Sequence, residues 1–170
     1  MHSRARILGH SIHQMLIVFP LGLLATSLVF DFISAGTGSA RVADISFWMI
    51  ASGIIGGLAA ALFGLIDWLG IPDGTRAKRI GALHGIGNVV VVGLFVISLL
   101  IRYYGGATPP AAIAIVLSGV GVALALVTGW LGGELVDRLA VGVDEGAHAD
   151  APSSLSRRPI SEHATVTARN

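Results

Sequence analysis

Apolar residues dominate four stretches of the chain, and polar residues gather between them. The stretches run from His13 to Ile33, Ile45 to Leu69, Ile80 to Ile101 and Ala111 to Val136. Each has the about 20 mainly apolar residues that a helix needs to cross the hydrocarbon of a bilayer. The connections are Ser34–Asp44, rich in Gly and Ser, then Gly70–Arg79 with the turn signal Pro72-Asp73-Gly74, then Arg102–Pro110. All three are short, so sequential helices are expected to run antiparallel as hairpins. The pattern predicts an all-α fold: an integral membrane bundle of four transmembrane helices within residues 1–142. From 143 to 170 the periodicity stops and Ala, Ser, Asp, Glu, Arg and Pro take over, which predicts a disordered tail. Pro20 lies inside the first span and predicts a kink near Leu16, four residues back.

Composition supports the same class. Hydrophobic residues make up 54% of the 170 and charged residues only 12%, against about 25% charged in soluble domains. A mean hydropathy of +0.79 excludes a disordered chain and disfavours a water-soluble globule. With no cysteine, disulfides, thiolate zinc sites, cysteine-held iron–sulfur clusters and covalent c-type haem are excluded within the chain.

The eleven Lys and Arg sort by side. Arg4, Arg6, Arg76, Lys78, Arg79, Arg138, Arg157, Arg158 and Arg169 fall on one side, and Arg41 and Arg102 on the other. The positive-inside rule then places both termini in the cytoplasm. A cleaved leader is the rival reading of the first span, but the apolar run is too long for one and His10 and His13 are out of place in it. Trp48, Trp68 and Trp130 lie near span ends and read as interfacial anchors. There is no phosphate-binding loop, nucleophile elbow or HExxH, and no basic patch that would suit nucleic acid.

Ionisable groups inside spans are costly and therefore mark candidate sites. Of the 11 basic and 10 acidic residues, all but Asp31, Asp67 and Glu134 fall outside the spans or at their edges. His13 opens the first helix and His84 lies one turn into the third. Asp67 nears the end of the second and Glu134 the end of the fourth. The topology thus gathers His13, His84, Asp67 and Glu134 at one depth on one side, with His10 one turn before His13. Asp31 stands alone on the other face.

Two histidines at matched depth on different helices suit the axial positions of a b-type haem. With the carboxylates, the same histidines suit a non-haem metal or a proton relay. Interhelical hydrogen bonding is the remaining reading. Asn88, four residues after His84, is placed to support a ligating histidine, and Arg79 to neutralise a haem propionate. Gly53, Gly57, Ala60 and Gly64 in the second span, and Gly121, Ala125, Gly129 and Gly133 in the fourth, form small-residue stripes. These suit helix packing, a homo-oligomer contact, or room for a flat macrocycle.

The segment Gly9-His10-Ser11-Ile12-His13 through Phe19-Pro20-Leu21-Gly22, the run Gly64-Leu65-Ile66-Asp67-Trp68, the pair His84 and Asn88, and Gly129-Trp130-Leu131-Gly132-Gly133-Glu134 followed by Val141-Gly142-Val143 resemble a bacterial membrane family called domain of unknown function 2231. The resemblance spans residues 9 to 143, although members often have proline where this chain has Ser11 and Gln14. It implies a four-span protein of the bacterial inner membrane, with His10, His13, Asp67, His84, Asn88 and Glu134 as family positions, and it carries no activity. Some relatives append a Rieske-type iron–sulfur domain, which this cysteine-free chain lacks, so a redox partner is expected to be a separate protein. The resulting expectation is a haem- or metal-binding subunit in membrane electron transfer. The alternatives are a small proton-coupled transporter or channel, or a structural subunit.

Overall fold

In the computed structural model, which describes residues 2–106, 108–156 and 158–160, four helices are long and apolar enough to cross a membrane: Ile12–Thr37, Ala40–Leu69, Arg76–Gly105 and Ala112–Arg138. The all-α bundle is therefore as expected. The first span is divided into α1 (Ile12–Leu16) and α2 (Val18–Thr37). The break at Ile17 is the expected kink: Pro20 has no N–H to give the Leu16 carbonyl. The hydrogen bonds continue on either side of it, from Ile17 N to His13 O at 3.1 Å and from Leu21 N to Ile17 O at 3.2 Å.

Helices α3 (Ala40–Leu69) and α4 (Arg76–Gly105) have 30 residues each, about 45 Å at about 1.5 Å per residue. They outrun the apolar stretches at one or both ends because their ends are set by caps, not by the edge of the apolar run. Ser39 and Thr75 accept from Val42 N and Lys78 N. Gly38 (φ 68°) and Gly106 (φ 57°) close α2 and α4 in the left-handed conformation. Helix α5 (Ala112–Gly133) runs on into a π-helical turn, Glu134–Arg138.

One element was not foreseen. Strands β1 (Arg6–Ile7) and β2 (His10–Ser11) pair antiparallel ahead of α1. The turn between them has positive φ at both Leu8 (49°) and Gly9 (89°), as a two-residue hairpin turn of the primed type requires. At the other end, residues 143–156 form successive turns, and Asp144 and Ser154 reach this hairpin at Arg6 and His10. Arg157, Arg169 and the rest of 161–170 lie outside the described residues.

Helix α2 packs along α3 and α4 along α5; α3 against α4 and α2 against α5 close the bundle. The two hairpins share several equivalent positions and contacts. His13 and His84, Leu24 and Phe95, Ser27 and Ser98, and Asp31 and Arg102 are each 71 positions apart. Ser46 and Ala114, Gly53 and Gly121, Ala60 and Thr128, and Gly64 and Gly132 are each 68 apart. A Cβ on Gly53 would lie 2.6 Å from Leu24, and one on Gly121 2.8 Å from Phe95. At the Ser27/Ser46 and Ser98/Ala114 level a serine hydroxyl ties the two helices in both hairpins, in opposite directions: Ser46 donates to Ser27 O at 3.1 Å, and Ser98 donates to Ala114 O at 2.7 Å. Both hairpins start at the histidine end, the arrangement of parallel repeats.

Between the ends lies a small apolar core of Leu24, Ile50, Ile54, Val91 and Phe95. Most other large apolar side chains, such as Phe32, Ile55 and Leu126, face outward, where a bilayer would surround them.

Candidate functional site

The histidine end brings together His13, His84 and Asn88. His13 is fixed by its Nδ1, 2.8 Å from Ala60 O, and His84 by its Nδ1, 2.8 Å from Thr128 O. Each imidazole thus gives its Nδ1 hydrogen to a main-chain carbonyl of the other helix in its own hairpin. Each also fills the space left by a glycine one turn later. A Cβ on Gly64 would lie 2.8 Å from the His13 ring, and one on Gly132 3.2 Å from the His84 ring. The carbonyl contacts set the tautomer and leave each Nε2 with its lone pair, that of His84 facing the Asn88 amide at 3.3 Å.

The two rings are near-perpendicular (85°), with centroids 6.2 Å apart. The Asn88 amide donates to His84 O at 2.8 Å and approaches His84 Nε2 at 3.3 Å, while its carbonyl accepts the Thr128 hydroxyl at 3.2 Å. In the first hairpin the repeat puts Ile17 and Ala60 where the second has Asn88 and Thr128, so His13 has no such neighbour.

The other residues singled out from the sequence go elsewhere. Asp67 anchors the N-terminal segment to the end of α3. Its Oδ1 accepts Ser3 Oγ (2.7 Å), Arg4 N (2.8 Å) and Ala5 N (3.0 Å), and its Oδ2 accepts Ser11 Oγ (3.4 Å). Glu134 pairs with Arg76 at 2.5 Å and ties the end of α5 to the start of α4. His10 is exposed beside Ser154. Arg79 is exposed, five residues before His84 and so about 140° around the helix from it.

Among the described residues no three of His, Cys, Asp or Glu form a group that could hold a metal ion. Asp67, Glu134 and His10 thus share an end with the histidine pair without joining it, because hydrogen-bond partners nearer in space claim both carboxylates. The Trp68 indole is also claimed: it donates to Lys78 O at 3.1 Å, with the Lys78 ammonium 4.2 Å from the ring centroid. Trp48 and Trp130 face outward, as anchors do.

The opposite end holds what the sequence reading missed. Asp31 is not alone, and Arg102 is not in a loop. Because α4 continues to Gly105, Arg102 lies inside the bundle and forks onto Asp31, Nη1 to Oδ1 at 2.6 Å and Nη2 to Oδ2 at 2.7 Å. The side chains are 4% and 0% exposed. Ser46 Oγ donates to Asp31 Oδ1 at 2.5 Å, and Arg102 donates to Ser98 Oγ and Ser118 Oγ, each at 3.3 Å. One polar layer thereby links α2, α3, α4 and α5. The sequence did carry a signal for it: Asp31 follows His13, and Arg102 follows His84, by the same 18 residues, which puts opposite charges at one depth.

Outside the spans, hydrogen bonds from Arg6 and His2 hold the Asp144 carboxyl below its ordinary value of 3.8. A lowered value in the docked state means that docking gains stability above the ordinary value and loses it as pH falls through the lower one. The segment around Asp144 is therefore expected to stay docked on the N-terminal hairpin at neutral pH and to release in acid below pH 3.8. Amide hydrogen exchange of residues 141–150 checks this; protection that is unchanged at acid pH would contradict it.

A family model described as "Predicted membrane protein (DUF2231)" matches residues 9–145. No curated protein and no solved structure matches the chain significantly.

Proposed function

The chain belongs to the DUF2231 family of predicted membrane proteins, and from that premise we propose that it is a metal-binding subunit of membrane electron transfer in which His13 and His84 ligate one ion through their Nε2 atoms. One observation carries the reading: both Nδ1 atoms are tied to carbonyls, and the ring centroids are 6.2 Å apart. At that separation His13 and His84 would hold a b-type haem through their Nε2 atoms, and the haem iron would supply one-electron transfer.

The stripes expected to make room for a macrocycle are partly taken. Gly53, Gly57, Gly64 and Gly121 receive neighbouring side chains, whereas Gly129 has nothing within 4 Å of a Cβ. The channel alternative needs a polar path between the ends, and the apolar core of Leu24, Ile50, Ile54, Val91 and Phe95 lies there instead. Cytoplasmic placement of the histidine end is supported by Arg4, Arg6, Arg76, Lys78, Arg79 and Arg138 near the membrane on that side, against Arg41 and Arg102 on the other. Its site in the bacterial inner membrane and a separate redox partner at the histidine end belong to the same proposal.

The test is cofactor retention in variants of the extracted protein. His13→Ala and His84→Ala are each expected to abolish or shift the haem spectrum, with Asp67→Asn close to wild type. A haem spectrum unchanged in either histidine variant would remove that residue from the site. Stoichiometric metal without haem absorbance would favour a bare ion at the same nitrogens.

A further inference from the structure

The two hairpins match at position after position, yet they carry opposite charges at one equivalent pair, Asp31 in the first and Arg102 in the second. We propose that this ion pair is the recognition element by which the first hairpin accepts the second as its partner. It follows that any exchange between two copies of the chain joins the first hairpin of one to the second hairpin of the other.

The duplicated contacts lie within hairpins: His13 on Ala60 and Gly64, His84 on Thr128 and Gly132, Leu24 on Gly53, Phe95 on Gly121. They give each hairpin its shape and do not select its partner. Across the two hairpins, His13 meets His84, a like pair that two copies of either hairpin would equally provide. The apolar core across the same boundary is also undiscriminating, because Leu24, Ile50, Ile54, Val91 and Phe95 carry no charge or hydrogen-bond pattern.

Asp31 and Arg102 do discriminate. Two first hairpins would bring two carboxylates together, and two second hairpins two guanidinium groups, in a layer where the observed pair is 0% and 4% exposed. Like charges removed from water and from any counter-ion are the costliest arrangement available, and a repulsive element of this kind is how specificity is set between near-identical surfaces. The surrounding serines serve either ion: Ser46 donates to the carboxylate, and Ser98 and Ser118 accept from the guanidinium.

The experiment uses the full-length chain and reads size in detergent, independent of any cofactor. Asp31→Arg and Arg102→Asp, expressed singly, are expected to lower the yield of monodisperse protein about tenfold or more. The double reversal Asp31→Arg/Arg102→Asp is expected to restore the wild-type size and yield. Co-expression of the two single variants under different tags supplies a second arm. One chain then has arginine at both positions and the other aspartate at both, so each ion pair forms only across copies, and a one-to-one heterodimer is expected. Single variants that stay monomeric at wild-type yield would overturn the proposal. So would a double reversal no better than the singles, or co-expressed chains that do not co-purify.

Discussion

Arg102→Gln alone is expected to destabilise the protein by about 3–5 kcal/mol, the cost of leaving a buried charge without its partner. The carboxylate of Asp31 is fully enclosed and receives three bonds, two from the Arg102 guanidinium and one from Ser46. Once the fork is removed, Ser46 remains as its donor, and no cation among the described residues bonds it. Asp31→Asn/Arg102→Gln is expected to recover most of the loss, since the neutral pair has no stranded charge and the serines can still bond it. The unfolding temperature in a fixed detergent checks both, and Arg102→Gln within about 0.5 kcal/mol of wild type would show that the layer is solvated.

Gly121→Leu is expected to cost about 1–3 kcal/mol by overpacking, and Gly129→Leu next to nothing. A Cβ on Gly121 lies 2.8 Å from Phe95 Cε2 and 3.1 Å from Cδ2. Phe95 is fully buried in the core, so its ring or the α4–α5 packing around it must shift to admit the added side chain. A Cβ on Gly129 meets nothing within 4 Å. The two glycines lie on one helix, eight residues apart, and look alike in the sequence. Thermal unfolding of both variants separates them; equal losses would mean that Gly129 faces another molecule, as the structural-subunit reading holds.

The spans were legible because lipid leaves little latitude: about 20 apolar residues can only be a helix that bonds its own backbone. The break at Ile17 followed from Pro20 for the same local reason. Helix ends were less legible, since Ser39, Thr75, Gly38 and Gly106 set them by hydrogen bonding and backbone conformation rather than by hydropathy. That error of a few residues hid the main charge pair by assigning Arg102 to a loop.

At the histidine end, depth correctly brought His13 and His84 together, because both begin hairpins on one side. Depth could not tell which groups at that level touch. Asp67 has the hydroxyls of Ser3 and Ser11 and two main-chain N–H groups within reach, and Glu134 has Arg76. These partners lie outside the apolar stretches, where the apolar pattern does not describe the folding. Thr128 was missed because an alcohol in an apolar helix gives no charge signal, although the repeat aligns its carbonyl with that of Ala60.

The absorption spectrum and metal content of the wild-type protein, extracted from membranes grown with adequate iron, bear most directly on the histidine site. A haem-type Soret band with one iron per chain is the predicted result, and a protein with neither Soret absorbance nor stoichiometric metal would contradict the assignment of His13 and His84 as ligands.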